Sequence, residues 1–328
     1  MNVASQNQGL SDAAVQRLRD AAEWPEPDPA RYTVVERIGR GGMGTVFRAH
    51  DLLLKRDVAL KVLHVGAESG DLAARLTKEA RTLAHLEHPG IVPVHDVGVL
   101  ADGRPYYTMK LVHGQLLDDV AVRRPRAELL RLFTRICEPI AFAHSRGAVH
   151  RDVKPQNVMV GEFGEVLVLD WGISKLGGID SEPRQVVQSG EYVAADTAVG
   201  AVLGTHGYMA PEQARGESAH ADARADVYSL GKLLEHLVKG SDAPKMPRPL
   251  AAIVRKATSD DPAGRYDDAN KLARDVQRFL AAERVDAHRE NLLEQALRIY
   301  RRHRPLVLLI AVYLVVRLVL ILWRARAD

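Results

Sequence analysis

The stretch HRDVKPQN, residues 150–157, sets Asp152, Lys154 and Asn157 close together beside His150 and Arg151. A carboxylate can take a proton, an ammonium can offset negative charge as it develops, and an amide can orient a neighbour or a ligand. Charges this dense also occur in ordinary solvated loops. Here GAV precedes the stretch and VMV follows it, so apolar residues flank the charges on both sides. That pattern predicts a polar loop held on a scaffold of strands, where reactive groups tend to sit.

The scaffold can be sought in the rest of the chain. Its 328 residues are 46% hydrophobic and 27% charged, which allows one large domain or two modest ones with appendages. A formal net charge of +3 is too small to argue for nucleic acid, and arginine is crowded locally in RIYRRHR (298–304) and WRARAD (323–328). The single cysteine, Cys137, lies in an apolar helical pattern and cannot form an internal disulfide, so a reducing compartment is expected. The N-terminus lacks an apolar core of signal-peptide length, which predicts a cytosolic location for the bulk of the chain.

Residues 1–31 are small and polar and end in WPEPDPA, which reads as an extension and linker with a short helix from Ser11 to Asp20. From Tyr32, valine-rich runs broken by glycine or charge predict strands: YTVVERIG, GTVFRAHD and DVALKVL. LAARLTKEARTLAHLE has helical spacing, and IVPVHDVGVL and PYYTMKLV flank the turn ADGRP. After Gly114 the periodicity is mostly helical, over 126–145, 222–239, 249–258 and 267–282, with short strands near 158–160 and 166–169. The expected architecture is α+β, with a small β-rich lobe followed by a larger helical one.

IGRGGMGTV places Gly39, Gly41 and Gly44 in a GxGxxGxV spacing. Such glycines also mark dinucleotide-binding turns and plain hairpins, but the dinucleotide form must run from a strand straight into a helix. Here a strand-like run follows, so the glycines fall at a hairpin tip, where backbone amides can approach phosphates unobstructed. VALK puts Lys61 on a strand one hairpin later, and Glu79 lies on the next helix. A strand lysine usually faces solvent. Paired with a glutamate and facing a glycine-rich loop, it can instead hold phosphates.

With HRDVKPQN, VLDWGISK, GTHGYMAPE, DVYSLG and DPAGRY following in that order, residues 32–283 resemble a eukaryotic-type protein kinase, closely the bacterial Ser/Thr branch. The resemblance implies a two-lobed protein-kinase fold using ATP and Mg²⁺ on protein substrates. It assigns Asp152 to the substrate hydroxyl and Lys154 to the charge at the γ-phosphate. Asn157 and Asp170 become Mg²⁺ ligands, and Lys61, braced by Glu79, holds the α- and β-phosphates. The nucleotide would be covered by Ile38, Gly39, Arg40, Gly41, Gly42, Met43, Gly44, Thr45 and Val46. Ala59 opposes Val46 across the adenine, Met109 is the gatekeeper, and Lys110 to Val112 form the hinge. Glu212 with Arg265, and Asp226, are implied as structural braces. Arg151 implies a phosphorylatable activation segment, with Thr197 favoured over Ser181, Ser189 and Tyr192, while Thr205 resembles the threonine that contacts the catalytic loop and is structural. Trp171 departs from the usual phenylalanine, and VKGSDAPKMPRP (238–249) is shorter than relatives have there. A pseudokinase scaffold and a small-molecule phosphotransferase are the rival readings.

PLVLLIAVYLVVRLVLILW, 305–323, would reach roughly 28 Å as a helix, close to a hydrocarbon core of about 30 Å. Arg317 interrupts the run, six residues before Trp323, near enough to snorkel. The run predicts one transmembrane helix, against a buried helix or one lying flat on the bilayer. More arginine before the run than in the tail at 324–328 keeps the kinase domain cytoplasmic, giving a single-pass protein of the cell membrane. Residues 284–304 read as a charged juxtamembrane helix that could serve as a homodimerising stalk.

Overall fold

The computed structural model describes residues 24–41, 44–63, 86–122, 124–171, 207–215, 222–243, 245–291, 294–295, 308–310, 312–317, 319 and 323. The chain divides into two compact units, residues 1–87 with 92–112 and residues 88–91 with 113–328.

In the first unit, β1 (Tyr32–Gly41), β2 (Gly44–Asp51), β3 (Arg56–Leu63), β4 (Val94–Val99) and β5 (Pro105–Lys110) form an antiparallel sheet in the order β1-β2-β3-β5-β4. Residues alternate between the faces of a strand, and one face collects Tyr32, Phe47, Val58, Leu60, Val62 and Tyr106 into a core. The opposite face follows from the register: Val46 pairs with Lys61, and Ala59 with Met109.

WPEPDPA proves to be part of this unit and not a bare linker. The Trp24 ring meets Phe47 edge-on at 5.5 Å, Arg104 Nη2 donates to the Trp24 carbonyl at 3.3 Å, and Pro25 and Pro27 are buried. Trp24→Ala should therefore lower stability by about 1–2 kcal/mol, an aromatic contact and a half-exposed ring being lost. Thermal melting of the full chain checks this, and an unchanged midpoint would show the strap to be idle.

In the second unit, β6 (Gly114–Leu116), β7 (Val158–Gly161) and β8 (Val166–Val168) make a small sheet. Its described helices are α1 (Leu117–Ala121), α2 (Arg126–Ser145), α3 (Pro211–Ala214), α4 (Ala223–Gly240), α5 (Arg248–Ala257) and α6 (Ala269–Leu280). The α2 stripe Leu129, Phe133, Ile136, Cys137 and Ile140 is wholly buried, the spacing of a helix facing a core. Burial pushes the Cys137 thiol pKa well up, as for a residue that packs and stays a thiol. Asp222 caps α4 by accepting from Arg224 N–H, and Asp268 caps α6 by accepting from Lys271 N–H.

The chain beyond α6 differs from expectation. Residues 284–291 are not helical, because the buried Asp275 carboxylate takes their amides: Asp286 N–H at 2.8 Å and Ala287 N–H at 3.0 Å, besides the Tyr266 hydroxyl at 2.8 Å. Of the expected helix over 284–304, Glu294 and Gln295 are helical among the described residues. There Asn291 Oδ1 accepts from Glu294 N–H at 2.8 Å, and Glu294 Oε2 accepts from Asn291 N–H at 3.2 Å, a reciprocal capping box. Among the described residues no helix is long and apolar enough to cross a membrane; residues 305–307, 311, 318 and 320–322 of the apolar run lie outside them.

Candidate active site

The loop 150–157 sits where α2 ends and β7 begins. The GAV side is not a strand: Ala148 N–H closes back onto the Ala143 carbonyl at 2.9 Å, finishing α2. The next amides go to a buried carboxylate. Asp226, near the start of α4, accepts from His150 N–H and Arg151 N–H, both at 2.7 Å, and pairs with His144 Nε2 at 2.9 Å. Burial pushes the Asp226 pKa up, but the His144 hydrogen bond and charge and the His150 contacts outweigh it and hold it low. A fully buried carboxylate is tolerable only with such partners.

His150 locks the loop to the end of β8. Its Nδ1 accepts from Asp152 N–H at 3.2 Å, while Nε2 lies 2.9 Å from the Leu169 carbonyl. One nitrogen must accept and the other donate, which is the neutral imidazole with its proton on Nε2. Burial lowers the pKa of this ring and agrees with that form. The Trp171 indole lies against His150, with ring centroids 4.7 Å apart, and donates from Nε1 to the Val168 carbonyl at 3.2 Å. Trp171 thus stays packed where phenylalanine is usual, and gains a hydrogen bond that phenylalanine cannot make. Arg151 and Asp170 both adopt left-handed backbone, with φ of 66° and 51°, a conformation that surroundings must impose on non-glycine residues.

The three groups singled out in the sequence do meet. Lys154 Nζ lies 2.9 Å from Asp152 Oδ2, and Asn157 Nδ2 donates to Asp152 Oδ2 at 3.0 Å and to the Asp152 carbonyl at 2.8 Å. Leu169 N–H donates to the Asn157 carbonyl at 2.8 Å, which ties Asn157 to the residue before Asp170. The amide nitrogen of Asn157 is thus committed to Asp152, leaving its oxygen as the end that suits a cation.

On the first unit, Gly39 pairs with Val46, Arg40 with Thr45 and Gly41 with Gly44, so β1 and β2 close through Gly42 and Met43, which lie outside the described residues. Ile38 sits at the register shift and is 48% exposed. A Cβ on Gly44 would run into the Val62 carbonyl, so glycine is needed there. Thr45, Ala59 and Lys61 are buried, Val46 and Met109 partly so. By the strand register Val46, Ala59, Lys61 and Met109 share one face, away from the core. Glu79 and the activation-segment hydroxyls Ser181, Ser189, Tyr192, Thr197 and Thr205 lie outside the described residues.

Glu212 and Arg265 form a bidentate pair, Nη1 to Oε1 at 2.7 Å and Nη2 to Oε2 at 2.9 Å. Arg265 also donates to the carbonyls of Ser259, Arg224 and Asp260.

The protein kinase domain family matches residues 32–249. This chain is a member of that family. Among its relatives, a serine/threonine-protein kinase PknD of Protochlamydia amoebophila is 33% identical over 76% of this chain and 30% of its own. PknB of Mycobacterium tuberculosis is 35% identical over 81% of this chain and 46% of its own. The chain therefore spans about a third to a half of the length of these curated relatives. The solved PknI kinase domain of Mycobacterium tuberculosis superposes with a TM-score of 0.56 at 28% identity, over 76% of this chain and 96% of that one. These likenesses place the chain with the bacterial eukaryotic-type Ser/Thr kinases and give it the two-lobed kinase fold, a β-sheet N-lobe and a helical C-lobe. Two side chains outside the sequence motifs belong to the loop network: His144, the partner of Asp226, and Gln213, whose Nε2 donates to the Arg151 carbonyl at 3.1 Å. The histidine signal was weak, a single residue near the end of an apolar helix. Gln213 directly follows the APE glutamate and shows no periodicity of its own.

Proposed function

We propose that this chain transfers the γ-phosphate of ATP to serine and threonine hydroxyls of proteins. The observation that carries this is the Asp152 carboxylate, held by Lys154 and Asn157 on a backbone anchored to Asp226. Phosphoryl transfer asks mainly for alignment and charge neutralisation. Asp152 would orient the hydroxyl and take its proton, and Lys154, already at the carboxylate, would offset charge on the transferring group. Lys61 would hold the α- and β-phosphates with Glu79 as its brace, and Val46 and Ala59 would take the adenine. Ile38 to Thr45 would cover the phosphates, with Met109 limiting the depth of the base.

Asn157 and Asp170 suit Mg²⁺ as oxygen donors. Mg²⁺ takes a few protein oxygens and completes its shell from substrate phosphate and water. When bound it would neutralise phosphate charge. Retention of Lys61, Asp152, Asn157 and Asp170 favours an enzyme over a pseudokinase scaffold. Phosphoamino-acid analysis of protein labelled by the full chain tests the substrate class: phosphoserine and phosphothreonine are expected, and phosphotyrosine as the main product would reverse the assignment.

The run 305–323 is proposed as a membrane anchor that leaves the kinase domain cytoplasmic. Supporting it, Val312, Tyr313, Leu314, Val315 and Val316 are all more than half exposed. Successive helical residues turn about 100°, so these five cover every side of the helix, and a lipid surround suits that better than a single protein face. Arg317→Leu should tighten membrane association and Tyr313→Arg should weaken it markedly, by about 2.5–3.5 kcal/mol for a charge near mid-bilayer. Membrane pellets washed in alkaline carbonate report this, and full-length wild type in the wash supernatant would eliminate the spanning helix.

A further inference from the structure

Gln213 lies in α3, directly after Glu212, and is 8% exposed. Its neighbours assign the two ends of its amide. Oε1 accepts from Ala210 N–H at 3.3 Å, and Nε2 donates to the Arg151 carbonyl at 3.1 Å. That carbonyl belongs to the peptide joining Arg151 to Asp152, whose own N–H donates to His150 Nδ1 at 3.2 Å. The preceding amide, Arg151 N–H, is held by Asp226 Oδ1 at 2.7 Å. Between these peptides Arg151 takes φ of 66°, so its surroundings must impose the turn. Two of the holds come from Asp226 and His150. The third comes from the residue after APE, an element distant in sequence.

We propose that Gln213 is a positioning residue for Asp152. Its N–H fixes the plane of the 151–152 peptide, and that plane sets the direction in which the Asp152 side chain leaves the backbone. A glutamate at 213 could still accept from Ala210 but would set a carboxylate against the Arg151 carbonyl, acceptor facing acceptor. A leucine would fill the space and donate nothing. The catalytic consequence rests on the phosphoryl-transfer function proposed above; the backbone consequence does not.

The full chain is compared with Gln213→Leu and Gln213→Glu by amide hydrogen exchange, by kcat and KM for ATP, and by thermal melting. In Gln213→Leu the Arg151 and Asp152 amides should exchange roughly tenfold faster while α2 amides keep their protection, the scale expected for one lost buried hydrogen bond. Its kcat should fall roughly tenfold with KM for ATP unchanged, and Gln213→Glu should fall further. Wild-type exchange at Arg151 and Asp152 in both variants overturns the proposal. So does faster exchange spread evenly through α2, which would make Gln213 a general stabiliser. Wild-type kcat in both variants would also overturn it. If the wild-type chain itself transfers no phosphate, the kinase function fails, and the exchange rates alone decide the role of Gln213.

Discussion

Purified protein carrying Asp152→Asn should lose phosphoryl transfer by roughly 10²- to 10⁴-fold, the usual effect of removing a positioned proton acceptor, and should still bind ATP. Asparagine has nearly the shape of aspartate, so the loop need not move. Lys154 Nζ and Asn157 Nδ2 both present donors to the Oδ2 position, at 2.9 and 3.0 Å. The new amide must therefore turn its oxygen toward them and its nitrogen away. The side chain keeps its place and loses its basicity. Titration with a fluorescent ATP analogue should give an affinity within about threefold of wild type, since the residues assigned to phosphate and metal are untouched. Transfer at the wild-type rate would remove Asp152 from the chemistry.

The second large effect concerns stability. Glu212→Leu should destabilise the protein by about 3–5 kcal/mol, the range for removing one partner of a buried ion pair. Arg265, whose side chain is fully buried, would keep its charge without the carboxylate. Adding Arg265→Leu should recover only part of the loss, because the carbonyls of Ser259, Arg224 and Asp260 would then lose their donor. The same pair sets an acid limit. Burial pushes the Glu212 pKa up, but the Arg265 hydrogen bonds and charge pull it below its ordinary value. A carboxylate with a depressed folded pKa stabilises the fold above its unfolded pKa of about 4.3 and loses that contribution as pH falls through the folded value. Asp226 behaves likewise. Stability should thus be flat near neutrality on account of these groups and fall below about pH 4. Chemical denaturation of single and double variants across pH measures both effects. A Glu212→Leu protein as stable as wild type would show that the pair is not a brace.

The parts legible in the sequence were those in which spacing dictates placement. The valine-rich run DVALKVL marked a strand carrying Lys61, and β3 is that strand; its register sets Lys61 beside Val46 and Ala59 beside Met109. Helical periodicity found α2 over Arg126–Ser145, because its apolar stripe is long and uninterrupted. Asp152, Lys154 and Asn157 are close in sequence, and the short helical turn Pro155–Asn157 brings Asn157 back onto the aspartate. What stayed hidden depends on contacts made across long stretches of chain. Asp226 was implied as a brace by the resemblance and does take the His150 and Arg151 amides, but nothing near His150 foretells that Gln213 will hold the Arg151 carbonyl. Trp24 looked like linker because its prolines rule out regular structure but do not rule out packing. The non-helical stretch 284–291 was equally unreadable, since Asp275 claims the amides of 286 and 287 only in the folded chain.

Transfer of the terminal phosphate of ATP onto a protein hydroxyl is the reaction proposed for this chain. The most direct test incubates the purified full chain in mild detergent with Mg²⁺, a generic basic protein and ATP labelled at either the γ- or the α-phosphate. The γ-label should appear on protein in an acid-stable, base-labile linkage, and the α-label should not. Omitting Mg²⁺ or introducing Asp152→Asn should abolish the signal. Nucleotide bound by the wild-type chain with no γ-label on any protein would rule out the transfer and leave a kinase fold that only binds.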